Sequence, residues 1–417
     1  MTLRKKADIT QYSLFYYFII IPFLQPADYI LPAAIRSLLD LWKLSSMLLI
    51  LLVYLSKRKI SGFMIVFALF QLTTVAATVV NPLSHTAELK NSLIISCTNI
   101  AILMAAEIGL NAQPYKFVKA AAYYGGAMCL ITAATMFYYH SRGGMDQKEY
   151  MDALGDVNFY FLGHDNRSYF IFLSVQTAVI ILSLMRCGKL SVPAVLFTAV
   201  VTAAFFYVRS AASMICAAFI CIYLLLFRKS NPLFMNFKNY IFFFLTFDVL
   251  IVFLNIQNLF TSFLTNVLHK SATISGRTII WAKAMAYIKK SFFIGYGRES
   301  LAVLLVKFGI NHVHNIILDI MYSQGLIGLI LYAVMIFMCG KSLMKYRSNR
   351  ISATVSFIFF AFFICSIFDY YNTMAYPMLL YSFAVNMGRI TAAASKNTEE
   401  AAQKAIGENY VTNQKLT

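Results

Sequence analysis

Residues 312–328 read HVHNIILDIMYSQGLIG, and a further apolar run follows them directly. The imidazoles of His312 and His314 stand where a long polar loop meets this apolar segment. Residues 316–322 are apolar except for Asp319, so the stretch predicts the start of a helix that enters a lipid bilayer.

Two glycines close the stretch, Gly325 and Gly328, three residues apart. On a helix this spacing places both on one small face, which predicts the close approach of a neighbouring helix. A plain helix start with a solvated histidine would give the same local pattern. The choice between a catalytic motif and a helix start therefore depends on the rest of the chain.

Composition assigns the chain to the membrane proteins. Of its 417 residues, 60% are hydrophobic and only 12% are charged, and the mean hydropathy is +0.69. A soluble globular domain is closer to a quarter charged. The net charge of +18 is not a nucleic-acid signal, because the basic residues cluster in short loops between apolar runs, as topology signals do. The seven cysteines lie in or beside apolar runs, with no spacing typical of a metal site or a disulfide framework.

Twelve apolar runs are long enough, or nearly so, to cross about 30 Å of hydrocarbon. They lie near residues 12–31, 36–56, 60–80, 91–110, 117–138, 168–185, 190–208, 211–227, 239–256, 316–339, 351–368 and 373–389. All are predicted helices, because an open sheet edge has no hydrogen-bond partners in lipid. The first run has no small-residue cleavage site, so it is predicted as a retained span and not a signal peptide. The expected fold is an all-α polytopic membrane protein, with residues 1–417 as a single integral membrane domain.

Lysine and arginine set the predicted orientation. With the N-terminus inside, most of them fall in inner segments, whereas the short outer loops 81–89 and 369–373 hold none. Both termini are therefore expected in the cytoplasm. The tail, residues 390–417, is polar and is predicted to be disordered.

Two outer loops are longer, residues 139–167 and 257–315, and long loops escape the positive-inside bias. The second loop carries seven cations against the single carboxylate of Glu299. These cations are Lys270, Arg277, Lys283, Lys289, Lys290, Arg298 and Lys307. One interpretation is a surface resting on anionic lipid headgroups. The other is a cationic cradle for a phosphate-bearing lipid substrate.

Within this loop, residues 278–290 are predicted to form an amphipathic helix. Its apolar face would consist of Ile280, Trp281, Ala284 and Ile288. Trp281 is expected at the level of the lipid headgroups, where tryptophan is enriched. The Gly-Tyr-Gly at residues 295–297 is then expected to reverse the chain.

Charged residues in or beside the spans are candidate functional groups, because charge in a membrane is costly. Arg209 lies between two runs at the outer end of a hairpin. It either snorkels to the surface or joins a site with Arg277 and His314, which face the same side. Asp319, five residues past His314, is a candidate to orient that imidazole. Asp369, at the outer edge of a span, is expected to be solvated.

All six histidines fall on the outer side in this topology, which gathers the proton-transfer groups on one face. No role is expected for Glu107 and Asp248, which lie inside spans or near their ends.

The order His314-Asn315, nine residues, Gly325, two residues, Gly328 resembles the signature of the O-antigen ligase and polymerase superfamily. Further segments resemble that family's loop before the histidine and its arginine at the outer end of a span. They are Ser275-Gly276-Arg277 with Trp281, Gly295-Tyr296-Gly297, and Tyr207-Val208-Arg209-Ser210. The similarity covers roughly residues 209–328. It implies a GT-C-like glycosyltransferase in the inner membrane of a bacterium, with about twelve spans and a large outer loop of short helices. It also implies metal-independent inverting transfer.

The sequence has neither the glycine-rich phosphate loop of ATP motors nor an Asp-x-Asp motif for a metal-bound nucleotide sugar. It also has no sizeable cytoplasmic domain. A transferred glycan would therefore arrive on the outer face already activated. A polyprenyl-pyrophosphate-linked oligosaccharide meets that need, because its pyrophosphate is both the leaving group and an anionic handle.

The predicted catalytic residues are His314, Arg277 and Arg209. The two arginines, together with Arg298, would bind the pyrophosphate through charge-assisted hydrogen bonds and stabilise its growing charge, so that neither a metal nor another cofactor is expected. His314 would deprotonate or position the acceptor hydroxyl. Asn315 would either hold the acceptor or cap the following helix. The predicted substrate-binding residues are Arg298, Asn315, His312, Arg167, Asp165 and Tyr207.

Three functions remain open. A polymerase would use undecaprenyl-pyrophosphate-linked repeat units as donor and acceptor, a ligase would pass the glycan to lipid A–core, and a flippase would move the lipid-linked glycan. Residues 164–169 (HDNRSY), before a span, resemble capsule or exopolysaccharide repeat-unit polymerases, which favours the first. Polar residues spread through many spans would favour transport, but here they concentrate at one outer face. The expected partners are membrane lipid, a chain-length regulator and a flippase, and not nucleic acid.

Overall fold

The computed structural model describes residues 8–57, 59–145, 158–227, 235–254, 256, 276–370 and 375–397, without the side chains of residues 165–167. Its α-helices are α1 (Ser13–Ile20), α2 (Ala33–Ser56), α3 (Gly62–Val80), α4 (Thr86–Ala112), α5 (Pro114–Tyr139), α6 (Asp165–Cys187), α7 (Val192–Tyr207), α8 (Ala211–Leu226), α9 (Phe237–Asp248), α10 (Arg277–Lys290), α11 (Leu301–Phe308), α12 (Ile316–Lys345), α13 (Arg350–Phe368) and α14 (Met378–Val385). A further helix, α15, covers residues 387–397. Short 3₁₀ turns cover Ile9–Gln11, Ile21–Phe23 and His140–Arg142, and α9 continues as a π-helix over Val249–Phe253. A small antiparallel hairpin, β1 (Phe159–Tyr160) and β2 (Gly163–His164), lies within residues 139–167.

The expected all-α polytopic architecture is confirmed. Seven described segments are long and apolar enough to cross a membrane, namely α2, α3, α4, α5 continued to Arg142, α6 from Ser168, α12 and α13. The segments Ser13–Phe23, Val192–Tyr207 and Ala211–Leu226 are apolar but shorter. The total of twelve spans stays a prediction.

Helix α13 lies inside the bundle, in contact with α6, α8, α9, α12 and α14. Most of its side chains are buried, and aromatic rings fill the contacts, with Phe244 and Phe363 stacked at 4.8 Å and Tyr223 and Phe357 at 4.2 Å. Offset aromatic pairs at these distances add to the burial of their apolar surface. Because α13 is enclosed, the residues that follow its last turn lie within the end of the bundle and not at its rim.

Helix α12 breaks at the first glycine of the opening stretch. Gly325 has φ 64° and ψ −165°, a conformation outside the helical region. Residues 292–297 run against this break, and the Leu326 amide donates to the Phe292 carbonyl at 2.8 Å. A Cβ on Gly325 would lie 2.3 Å from the Phe293 carbonyl carbon, so only glycine fits here. The predicted helix neighbour is therefore wrong at this position, since the close neighbour is the loop of residues 292–297.

The predicted amphipathic helix is confirmed as α10, and the four apolar residues named above are its buried residues. Trp281 is fully buried, so its predicted place among the lipid headgroups is wrong. The apolar face of α10 packs on protein, because α11 and α12 cover it. Both glycines of residues 295–297 have positive φ. The turn itself lies just before them, at residues 292–294, where the Gly295 amide donates to the Ser291 carbonyl at 3.0 Å.

The start of the C-terminal tail is not disordered as predicted. Residues 390–397 belong to α15, and Ile390 and Ala394 are buried against the bundle. Two apolar positions four residues apart on one helix face give this segment a packing surface. The rest of the predicted tail lies outside the described residues.

One cation of the predicted cradle is used inside the protein. Lys307 Nζ lies 2.7 Å and 2.9 Å from the two carboxylate oxygens of Glu299, and both side chains are buried. Lys307 also donates to the Tyr322 hydroxyl at 2.9 Å, and Asn81 donates to Glu299 at 2.8 Å. This network ties the outer loop to α3 and α12, so Lys307 is removed from the cationic surface.

Replacing Lys307 with methionine should destabilise the protein by about 3–5 kcal/mol, because it leaves the buried carboxylate of Glu299 unpaired. The measurement is the thermal unfolding midpoint of the purified protein in detergent. Lys283→Met, on the exposed face of α10, should leave the midpoint nearly unchanged. Adding Glu299→Gln to Lys307→Met should recover part of the loss, and a midpoint equal to that of the wild type in Lys307→Met would contradict the argument.

Candidate functional site

Two imidazoles and one carboxylate meet where α12 begins and α13 ends. His312 Nε2 lies 2.7 Å and His314 Nδ1 lies 3.1 Å from Asp369 Oδ1, and the two imidazole ring centroids are 3.8 Å apart. Asp369 is 2% exposed, so the prediction that it is solvated is wrong. The enclosed position of α13 and the two histidines explain its burial. The carboxylate that contacts His314 is thus Asp369, and not Asp319 as the sequence suggested.

The protonation pattern of this cluster follows from its hydrogen bonds. Burial raises the pKa of Asp369, but the hydrogen bonds from His312 and His314 outweigh burial and lower it overall. An ionised carboxylate only accepts hydrogen bonds, so the two nitrogens that face it carry protons. A neutral imidazole carries one proton, so with Nδ1 of His314 protonated, the lone pair lies on Nε2.

Burial and the neighbouring His312 lower the pKa of His314 to about 4, so the imidazole is neutral at pH 7. Its side chain is 17% exposed. A partly accessible, neutral imidazole with a fixed tautomer can act as a general base.

Arg277 joins this cluster from the start of α10. Its Nε donates to the carbonyl oxygen of Phe368 at 2.8 Å, next to Asp369 in the chain. Its positive charge is close enough to His314 to contribute to the lowered pKa of that imidazole. The structure therefore brings together Arg277, His312 and His314, three of the residues that the sequence singled out.

Two residues other than glycine have positive φ in the described part of the chain, and both are predicted catalytic residues. They are Arg209, with φ 55°, and His314, with φ 59°. Side chains with a Cβ rarely adopt this conformation, and holding one there costs roughly 1–3 kcal/mol. Such strain concentrates at functional positions, so it supports a role for the two residues beyond packing.

Arg209 and Tyr207 lie in a second cluster at the same end of the bundle. Arg209 connects α7 to α8 and is an electrostatic neighbour of His140. The Tyr207 ring packs on His140 at 5.3 Å and on Phe137 at 5.4 Å, and Tyr207 is 43% exposed. Helix α8, which follows Arg209, packs on α13. An exposed aromatic ring beside a guanidinium can receive both a sugar ring and an anionic group.

Asn315 is used within the fold. Its Oδ1 accepts a hydrogen bond from the Leu318 amide at 2.9 Å, which caps α12. Its Nδ2 donates to Asp248 at 2.6 Å and to the Ile367 carbonyl at 3.2 Å, and the residue is fully buried. Asn315 was predicted either to hold the acceptor or to cap the following helix, and these contacts are those of a helix cap. They also give Asp248, which was expected to have no role, the task of fixing the start of α12.

The remaining predicted residues are Arg298, Asp165 and Arg167. The Arg298 amide bonds to the Thr78 hydroxyl at 2.8 Å, and the residue lines a small cavity of about 20 Å³ with polar side chains of α3, α4 and α12. These side chains are Gln71, Thr74, Ser92, Ser96 and Gln324. Asp165 and Arg167 lie in the first turn of α6, and their side chains are outside the described residues.

The cluster of His312, His314 and Asp369 also has the composition of a metal site. Its three ligand atoms lie within 4.8 Å of one another, and two imidazoles with one carboxylate hold iron in some enzymes. The observed spacings are those of hydrogen bonds, with a proton between Asp369 and each imidazole. The residues therefore fit an orienting carboxylate as they stand, whereas a metal ion would have to displace both protons.

Residues 194–333 match the family model described as O-antigen ligase. This segment belongs to the O-antigen ligase and polymerase superfamily. The predicted resemblance of residues 209–328 to this superfamily is thereby confirmed, and the matched segment contains Arg209, Arg277 and His314. Comparison with curated proteins and with solved structures found no match. The family match indicates an enzyme of the ligase or polymerase type, related to glycosyltransferases, that acts on lipid-linked polysaccharide.

Proposed function

We propose that the protein polymerises undecaprenyl-pyrophosphate-linked oligosaccharide repeat units into a surface polysaccharide. The observation that carries this proposal is the contact of His314 with Asp369 beside Arg277. His314 and Arg277 lie inside the segment that matches the family, and Asp369 lies after it in the chain. A neutral imidazole and a guanidinium held by a backbone carbonyl lie together at one end of the bundle, which supports the proposal. The transfer of a glycan from a pyrophosphate donor to a hydroxyl acceptor requires a base for the hydroxyl and a positive charge for the pyrophosphate.

In the proposed reaction, His314 Nε2 takes the proton of an acceptor sugar hydroxyl. The oxygen attacks the anomeric carbon of the donor while the bond from that carbon to the pyrophosphate oxygen breaks. The pyrophosphate leaves on its undecaprenyl chain, and Arg277 and Arg209 stabilise the charge that develops on it. Attack opposite the leaving group inverts the anomeric centre. Asp369 holds the imidazole in position and stabilises its protonated form.

The acceptor distinguishes a polymerase from a ligase, and the resemblance of residues 164–169 to repeat-unit polymerases favours the former. The test is incubation of the purified protein with lipid-linked repeat units, with and without lipid A–core. A polymerase gives a ladder of products from the repeat units alone. A single transfer that requires lipid A–core would indicate a ligase, and movement of the lipid across vesicles without transfer would indicate a flippase.

Chelation should leave the activity nearly unchanged, because arginines meet the pyrophosphate charge in the proposed reaction. The measurement is polymer formation by purified protein after treatment with EDTA and removal of the chelator. The His312, His314 and Asp369 cluster makes this test necessary. A loss of activity that magnesium, manganese or iron restores would replace the arginine mechanism with a metal-dependent one.

The proposed site faces the outside of the cell. A reporter fused after Arg350, between α12 and α13, should therefore be active in the cytoplasm, whereas a reporter at Lys283 in α10 should be active outside. The reason is the distribution of lysine and arginine between the two sides. An external reading at Arg350 would reverse the orientation and move the site to the cytoplasmic face.

A further inference from the structure

A second cavity lies near the C-terminal end of α12, the end opposite to His314. It has a volume of about 190 Å³ and lies between α3, α4, α12, the end of α14 and the start of α15. A water molecule occupies about 30 Å³ in the liquid. The cavity therefore has room for a ligand fragment of several non-hydrogen atoms.

Groups of opposite charge line this cavity. Glu107 comes from α4, and Arg389 comes from α15. Among the residues that the structure describes, Glu107 and Arg389 do not form an ion pair with each other. A carboxylate within a membrane span is costly unless it has a partner, so a ligand with its own positive group would complete the site.

The protein holds the Glu107 carboxylate in place from one side. The Tyr54 hydroxyl donates to Glu107 Oε2 at 2.8 Å, and the Ser61 hydroxyl donates to the same oxygen at 3.1 Å. Both bonds use Oε2, so Oε1 has no hydrogen-bond partner within the part of the chain that the structure describes. It can accept from a ligand ammonium group, which carries three donors.

Arg389 offers the complementary group. One of its five N–H donors is used on the Asn386 side chain. A guanidinium binds phosphate through two parallel hydrogen bonds, and its remaining donors allow this geometry. Apolar side chains complete the lining. They include Phe63, Met64, Leu103 and Met338.

We propose that this cavity binds the phosphoethanolamine headgroup of a membrane phospholipid, with the ammonium on Glu107 and the phosphate on Arg389. The apolar side chains would then contact the glycerol and the first carbons of the acyl chains. The cavity lies at the ends of apolar helices long enough to cross a membrane, which suits a lipid headgroup. A headgroup with a phosphate but no amine would leave Glu107 unpaired beside a second negative charge, and a quaternary ammonium has no N–H to donate.

The test uses the full-length protein in nanodiscs that contain equal amounts of phosphatidylethanolamine, phosphatidylglycerol and phosphatidylcholine. After detergent extraction and washing, mass spectrometry measures the lipids that stay bound. Phosphatidylethanolamine should be enriched over the other two. Glu107→Gln should lower the ratio of phosphatidylethanolamine to phosphatidylglycerol about tenfold, the scale of one charge-assisted hydrogen bond. Arg389→Gln should lower retention of all three lipids.

The control is Lys341→Gln, an exposed cation on α12 at the same end of the bundle that does not line the cavity. It should keep the wild-type lipid ratio. A second measurement tests whether the ligand is a lipid headgroup or free phosphoethanolamine. Phosphatidylethanolamine should raise the thermal unfolding midpoint of the delipidated protein, whereas free phosphoethanolamine at the same concentration should not. Equal retention of the three lipids by the wild type, a wild-type ratio in Glu107→Gln, or stabilisation by the free compound alone would overturn the proposal.

Discussion

Replacing Arg277 with lysine is expected to lower polymer formation about a hundredfold, the scale of one lost group that stabilises developing charge. Lysine keeps the positive charge but loses the planar fork that holds two phosphate oxygens at once. It also loses the Nε donor that anchors Arg277 to the Phe368 carbonyl. The fork matters most when charge grows on the leaving pyrophosphate, so turnover should fall more than donor binding. Both are measured on the purified variant, with the lipid-linked donor.

The matched control is Lys283→Arg, which exchanges one basic side chain for another on the exposed face of α10. It should have wild-type activity. If Arg277→Lys is also fully active, the guanidinium is only a contact to lipid headgroups. The outer loop would then be a membrane-binding surface, and the base would act without this arginine.

Local patterns explain what the sequence predicted correctly. The start of α12 follows from the polar residues up to Asn315 and the apolar run after it. The buried face of α10 follows from apolar residues spaced three and four apart. Both are decided by neighbours within one or two helical turns. The same holds for the position of Arg209 between two apolar helices.

Contacts between distant segments explain what the sequence did not predict. His314 and Asp369 are 55 positions apart, and Asn315 and Asp248 are 67 apart. No periodicity connects residues at such separations, so Asp369 looked like a solvated loop residue and Asp248 like a group without a role. Lys307 was counted with the exposed cations because its pairing with Glu299 depends on the packing of α11 against the rest of the outer loop.

The glycine pair shows the same limit within a single motif. Its spacing correctly marked a position where the chain needs a small residue. It could not show that the neighbour is the loop of residues 292–297 and not a helix. The sequence therefore predicted the residues of the candidate site better than the contacts that hold them.

Replacing His314 and His312 separately tests which imidazole is the base. His314→Ala should abolish nearly all polymer formation, while donor binding persists because the arginines remain. His312→Ala should cost less, because His312 faces Asp369 and supports the cluster but does not occupy the position of the family motif. Normal activity in His314→Ala with loss in His312→Ala would show that the base is His312.

Asp369→Asn is the sharper variant, because it keeps the size of the side chain and removes only its charge. An asparagine can turn its amide toward His314 Nδ1 and so select the wrong tautomer, with the proton on Nε2. In hydrolases that orient a histidine with an aspartate, the same exchange costs up to about 10⁴-fold in turnover, and we expect a loss of at least about a hundredfold at pH 7. Donor binding should change little, since Asp369 is buried behind the imidazoles.

The pH dependence separates this orienting role from a structural one. The pKa of His314 is lowered to about 4, so wild-type turnover should be level from pH 7 to about pH 5 and fall as the imidazole gains a proton near pH 4. Asp369 favours the protonated imidazole, so Asp369→Asn should move this fall to lower pH while reducing the level rate. A variant that merely unfolds would lose activity without moving the profile. Wild-type turnover in Asp369→Asn, or a profile that moves to higher pH, would show that Asp369 does not orient the base.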